Sequence, residues 1–200
     1  GRKETFFQKS KKTYNVFGIN FFLHYALMFI KNKFDGQKNV KNLLKVNSIK
    51  EIVLDKHINH EESVSKIKEF KPDLLLSVLG NQIFKDPIIN LAPKGCLNLH
   101  TALLPIYRGL MPTFWVLKNN EKYTGVSVFF VEKGIDSGPI VVQKKVEIGN
   151  RSQEELIIYT KKIGMEAIAE AIDLIEHDKV KLIENDESKK TYYTFPTKQD

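Results

Sequence analysis

Asn98, His100 and Asp136 are the residues of this sequence best suited to chemistry. Asn98 and His100 stand two apart in Cys-Leu-Asn-Leu-His, residues 96–100. On an extended strand that spacing turns both side chains to the same face. An asparagine amide at a strand end can donate to an oxyanion, and an imidazole can donate or shuttle a proton near neutral pH. A carboxylate from Asp136 beside the ring would fix its tautomer and support its charged form. Lone histidines are usually structural, so the trio depends on the elements that would bring it together.

The periodicity predicts those elements. Residues 95–100 read as an apolar strand, followed by a turn closed by Pro105 and Gly109. A helix over 111–119 follows, with Pro112 in its first turn. Alternation predicts strands over 124–131 and 140–148, paired around a loop rich in turn residues that carries Asp136. Ser152 and Glu155 form a capping box for a long amphipathic helix to about His177. Upstream, residues 51–54 read as a short strand, and Asn59 with Glu61 and Glu62 as the start of a helix to Phe70. The run 74–79 is continuously apolar, which suits a strand covered on both faces, and 86–91 is a short helix. A last strand is expected over 180–183, with an ordered tail over 191–200. Strands alternating with helices argue for an α/β sandwich.

Several chemistries find no support. The sequence has no phosphate-binding glycine loop of the Walker or dinucleotide type and no Gly-x-Ser-x-Gly elbow. Cys96 lies within an apolar strand, where a thiol is packing rather than a nucleophile. Asp55, His57, His60 and Glu61 are loosely spaced for a metal, but a solvated loop before a helix accounts for them, and no metal site is expected.

Composition frames the rest. A chain of 200 residues, 42% hydrophobic and 28% charged, is enough for a single domain with its own core. One cysteine leaves no internal disulfide, so the cytoplasm is the expected compartment. The net charge of +7 is uneven: residues 1–50 set eleven Lys and Arg against Glu4 and Asp35. Such a basic front could meet nucleic acid, anionic lipid or a phosphorylated substrate, although solvated surface lysines explain it as well. The apolar run 16–30 contains Asn20 and His24 and reads as a buried helix over 21–33 rather than a membrane span, ended by Asp35-Gly36. A second amphipathic helix is expected over 39–47, and residues 1–15 as an irregular basic lead-in.

Three segments in order, Gly95-Cys-Leu-Asn-Leu-His-Thr-Ala-Leu-Leu-Pro-Ile-Tyr-Arg-Gly, Thr124-Gly-Val-Ser-Val and Gly134-Ile-Asp-Ser-Gly-Pro-Ile-Val, strongly resemble the folate-dependent formyltransferase family. That family includes methionyl-tRNA, glycinamide ribonucleotide and sugar N-formyltransferases. The resemblance covers residues 72–148 clearly. It implies a Rossmann-like three-layer α/β sandwich with a mostly parallel central sheet, and one catalytic domain over 1–200 with its tail at 184–200. It also implies formyl transfer from 10-formyltetrahydrofolate to a primary amine. Asn98 and His100 would stabilise the tetrahedral oxyanion, and Asp136 would orient His100 and help relay the amine's proton.

By the same likeness, Ser77, Val78, Leu79, Gly80, Gln82, Ile83 and Phe84 would line one side of a pterin slot. Val131, Gly134 and Ile135 would line the other. Thr101, Leu104, Pro105 and Arg108 fall on the acceptor side, with Arg108 bracing its loop or meeting an anionic group. The favoured acceptor is a small amine such as an amino sugar nucleotide. Methionyl-tRNA, water in a formyltetrahydrofolate hydrolysis, and an inactive folate-binding module are the alternatives. The family's opening strand-helix-strand unit has no counterpart before residue 21, nor has the carboxyl-terminal RNA-binding barrel after residue 200. A fragment of a larger protein or a reduced family member is therefore expected.

Overall fold

The computed structural model describes residues 5–34, 40–78, 80 and 82–200. The chain divides into two compact units, residues 1–53 with 196–200, and residues 54–195.

The first unit holds α1 (Phe6–Phe34) and α2 (Val40–Val46). The helix begins within the segment expected to be irregular and leaves helical geometry at Gly18, where φ is 79° and ψ 179°. Burial of this helix was the expectation, yet Leu23, Leu27, Phe29 and Ile30 are all more than half exposed. Residues Thr13–Lys31 reach the length and apolar composition of a membrane span. Gly18 breaks this stretch, and residues 19–31 alone are shorter than the roughly 20 residues of an unbroken span. Asp35-Gly36, expected to end the helix, lies outside the described residues.

In the second unit, α3 (Glu61–Lys68) is followed by β1 (Leu75–Val78), α4 (Asp86–Ile89), β2 (Cys96–His100) and β3 (Arg108–Gly109). Then come α5 (Pro112–Lys118), β4 (Tyr123–Phe130), β5 (Ile140–Glu147), α6 (Gln153–Glu176) and β6 (Tyr192–Tyr193). The main sheet has the order β1-β2-β4-β5, and a small one pairs β3 with β6. The α/β sandwich class holds. Within the described sheet, parallel pairing is confined to β1 and β2, and the β2–β4 and β4–β5 pairs are antiparallel.

The long helix forms for the predicted reason. Ser152 Oγ accepts from Glu155 N–H, and the Glu155 carboxylate accepts from both the Ser152 N–H and hydroxyl at 2.8 Å. Its buried stripe of Leu156, Thr160, Gly164, Ala167, Ile168, Ala171 and Ile175 faces the sheet. There Leu97, Leu99, Val126, Val128 and Val142 complete the core. At roughly 1.5–3 kcal/mol per large apolar side chain, this layer is the main stabilising term of the unit. A second cluster gathers Ala102, Tyr107, Trp115, Val116, Ile148 and Leu156 around α5.

Three strand expectations fail locally. Residues 51–54 form no strand. Val180 to Ile183 contributes only a single antiparallel bridge, Ile183 to Ile140. The β1 strand lies at an edge of the described sheet, and Leu76 and Val78 are about 40% exposed rather than covered. Apolar runs of this length do not reveal which face a neighbour will cover.

Candidate active site

Strand β2 is central, held by β1 on one side and β4 on the other. Leu97 and Leu99 point into the core beneath α6, so Asn98 and His100 share the opposite face. Their register partners on β4 are Phe129 and Ser127.

His100 is buried, and its Nε2 lies 2.7 Å from the Tyr107 carbonyl oxygen. A carbonyl only accepts, so Nε2 carries the proton and Nδ1 is the nitrogen left for chemistry. Nδ1 faces Asp136 Oδ2 at 3.6 Å, an ion pair when the ring is protonated and too long for a neutral hydrogen bond. The same Oδ2 accepts from the Gly109 N–H at 2.8 Å. The turn 107–109 thus contacts both members of the pair, one through Tyr107 O and the other through Gly109 N–H.

That turn is itself anchored. Tyr107 stacks on Tyr193 at 5.2 Å, and its hydroxyl donates to Glu121. Burial first, and then the Glu121 carboxylate, push its phenol up to about 12. Tyr107 N–H donates to Thr191 Oγ1 and Arg108 N–H to Thr191 O, which seats β6 against β3. On the far side of β2, Ser127 Oγ donates to Ala102 O at 2.7 Å and accepts from Leu104 N–H at 3.1 Å. Gln143 Nε2 bridges Ser127 Oγ and Leu104 O.

A cavity of about 480 Å³ opens beside the pair. Its wall includes Asn98 and Asp136, and the predicted residues Ser77, Gly80, Gln82, Ile83, Phe84, Val131, Gly134 and Ile135. Asn98 is half-buried there, and its side chain makes no hydrogen bond to a described residue. Val78 does not reach this wall, and Leu79 lies outside the described residues. Phe129, Glu132, Gly109, Leu110 and Tyr192 also line the cavity.

Residues 82–85 are held by a contact that the sequence did not suggest. Asn59 was expected to cap α3, but His60 does so, with Nδ1 accepting from Glu62 N–H. Asn59 instead donates to Ile83 O at 2.7 Å and accepts from Lys85 N–H at 2.8 Å. Gln82 Oε1 accepts from Ile58 N–H, so the loop is tied to the chain before α3 at two points.

The residues assigned to the acceptor side are absent from the wall. Leu104 is buried with Phe129 and Ile140. Thr101 and Pro105 lie in the connection to the turn. Arg108 is buried and braces the structure: it pairs with Glu187, and its Nη2 donates to Asn185 Oδ1 at 2.7 Å. Asn185 and Tyr192, each far along the chain, are contributors that sequence pattern did not single out. Burial pushes the Cys96 thiol up to about 11, in keeping with packing.

Asn98 and Asp136 reach the cavity wall, while buried His100 stands behind Asp136; together they are an amide, a carboxylate and an imidazole of the kind that can stabilise an oxyanion and move a proton, on an α/β scaffold. Residues 30–172 match the family described as formyl transferase, and the chain belongs to that family. It is 36% identical over 148 residues to a methionyl-tRNA formyltransferase from Kosmotoga olearia, covering 72% of this chain and 47% of that protein. The chain therefore spans about half the length of the curated relatives it matches.

Among solved structures, it is similar to a 4-N formyltransferase from Francisella tularensis, with a TM-score of 0.63 and 24% identity. That match covers 80% of this chain and 62% of the other. It is also similar to an N-formyltransferase from Helicobacter canadensis, in complex with folinic acid and dTDP-3-aminofucose, with a TM-score of 0.61 and 20% identity. There the coverage is 78% of this chain and 54% of the other.

Proposed function

We propose that this protein transfers the formyl group of 10-formyltetrahydrofolate to a primary amine. The observation that carries the reading is the Asn98 amide on the cavity wall, with no hydrogen bond to a described residue, two residues from His100, whose Nδ1 faces Asp136. The cavity suits a flat, partly polar donor: Ile83, Phe84, Phe129, Val131 and Ile135 supply apolar walls between the loops at 80–84 and 131–135.

The amine attacks the formyl carbon, forming a C–N bond and moving the carbonyl electrons onto oxygen. Asn98 donates to that oxyanion, and protonated His100 adds positive charge through Nδ1 while Nε2 stays on Tyr107 O. The nitrogen that attacked gives up a proton, which Asp136 accepts and passes to the departing folate nitrogen. Collapse restores the carbonyl as a formamide and releases tetrahydrofolate, with no net change in protons. Asn98→Ala is expected to lower kcat by about 100- to 1,000-fold, the usual cost of one oxyanion donor. Unchanged turnover in Asn98→Ala and His100→Ala would remove the mechanism.

The acceptor we favour is an amino sugar nucleotide, in line with the dTDP-3-aminofucose complex of the Helicobacter canadensis relative. Methionyl-tRNA is a second reading, supported by 36% identity to a methionyl-tRNA formyltransferase and by the basic residues 1–50. A formyl-transfer assay offering both acceptors separates them. Activity on tRNA alone, with steep salt dependence, would favour the second. Hydrolysis without an amine would make water the acceptor.

A further inference from the structure

We infer that Asn185 is a positioning residue that sets the approach of Asp136 to His100. The consequence for turnover rests on the formyl-transfer reading; the geometric claim does not. Asn185 is 6% exposed and lies beyond α6, just before a short helical turn at Glu187–Lys189. The Ile183–Ile140 bridge pins this segment to the start of β5, directly after the loop that carries Asp136.

From there the Asn185 amide uses both of its N–H donors and its oxygen on two loops at once. Nδ2 donates to Asp136 O and to Gly138 O, both at 2.9 Å. Oδ1 accepts from Arg108 Nη2 at 2.7 Å. Arg108 sits between the two backbone groups that hold the reacting pair, Tyr107 O on His100 and Gly109 N–H on Asp136. Among the described residues, Asn185 is the one side chain bonded both to the turn that holds His100 and to the backbone of the loop that supplies Asp136.

Asp136 also needs support. Its φ is 51°, a left-handed conformation that costs a non-glycine residue energy unless neighbours hold it. Asn185 grips the carbonyl of that residue and the carbonyl two residues on. Without the two donated bonds, the loop is released and Oδ2 moves relative to Nδ1. Asn185 touches neither the cavity nor the reacting atoms, so it acts through Asp136.

The test uses Asn185→Asp and Asn185→Ala. The aspartate keeps the shape and can still accept from Arg108, but it cannot donate to the two carbonyls. The first readout is the nitrogen-15 resonance of His100 Nδ1 in the ligand-free protein. Both variants are expected to move it toward its position in Asp136→Asn, with Trp115 fluorescence unchanged. The second readout is kinetic: kcat falls about 100-fold, as for a displacement near 1 Å, with KM for the formyl donor little changed. In an Asp136→Asn background the same substitutions add little further loss, since residues acting as a unit are non-additive.

An Nδ1 resonance at the wild-type position in both variants would overturn the inference, as would a full additional kcat loss in the Asp136→Asn background. If the wild-type protein formylates no amine while the resonance moves as expected, the function reading falls and the positioning role stands. If the wild-type protein turns over normally and neither resonance nor kcat responds to the substitutions, the positioning role falls and the function reading stands.

Discussion

Replacing Ser127 by alanine should destabilise the second unit far more than the loss of one small hydroxyl suggests. Ser127 is fully buried on β4, opposite His100. Its oxygen donates to Ala102 O and accepts from the Leu104 N–H, and both residues are buried. Alanine removes the partner of each. Gln143 Nε2 keeps Leu104 O but offers nothing to the orphaned N–H. At about 1–3 kcal/mol for each stranded group, the loss sums to about 2–6 kcal/mol. That is a large share of the roughly 5–15 kcal/mol by which a domain is stable. The assay is urea unfolding followed by Trp115, the single tryptophan, which stacks on Tyr193 at 4.8 Å and so reports on this unit. A drop in midpoint at constant slope is expected. A loss under about 1 kcal/mol, in the range of an ordinary surface substitution, would refute the account of the bracing hydrogen bonds.

Other substitutions probe other joints. Gly109 has φ 96°, and an added Cβ would lie 2.2 Å from Tyr193 O. Gly109→Ala should therefore part β3 from β6 and change native Trp115 emission, while unchanged emission and stability would contradict the pairing. Cys96 should resist thiol reagents at pH 8 in the folded protein and react only as the unit unfolds, because burial holds it protonated to about 11. Labelling at the rate of an exposed thiol would show the strand to be open. Hydrogen bonds from the Ser152 hydroxyl and N–H hold the Glu155 carboxyl below its ordinary value of 4.5. The capping box thus adds stability fully present above that value and lost as pH falls through the lowered one. Glu155→Gln should flatten this acid-side dependence in thermal melts, and an unaltered profile would remove Glu155 as its source.

The legible parts of the sequence are those governed by local rules. The Ser152–Glu155 box and the apolar stripe behind it place α6, and a partial alternation with a turn-rich loop between places β4 and β5 as partners. Asn98 and His100 share a face because a strand has period two, but nothing in their spacing brings Asp136 to them. Residue chemistry named Asp136 as a candidate and the family resemblance gave it a place beside them; in the structure its Oδ2 lies 3.6 Å from His100 Nδ1. Long-range contacts stayed hidden. Asn185 sits in a polar stretch with no periodicity, and its neighbours in space are 47 and 77 residues away in sequence. Asn59 read as a helix cap because Asx residues favour that role, and the structure uses its side chain on residues 83 and 85 instead. Arg108 was open between bracing its loop and meeting an anionic group, and its buried bonds to Asn185 and Glu187, neither foreseeable from sequence, are those of a brace.

The attachment of β6 to β3 also bears on biosynthesis. Asn98, His100 and Asp136 leave the ribosome well before Asn185, Thr191 and Tyr193, the residues that latch their loops. Until those last residues emerge, the hairpin and helix can form, and the turn 107–109 can bond to His100, Glu121 and Asp136, but it lacks the contacts from Asn185, Thr191 and Tyr193 that brace it. Closing contacts 77 and 84 residues apart is the slow, entropically costly end of folding. A nascent chain thus holds its main sheet before it holds the braces of the His100–Asp136 pair, which arrive late, with Asn185 and β6.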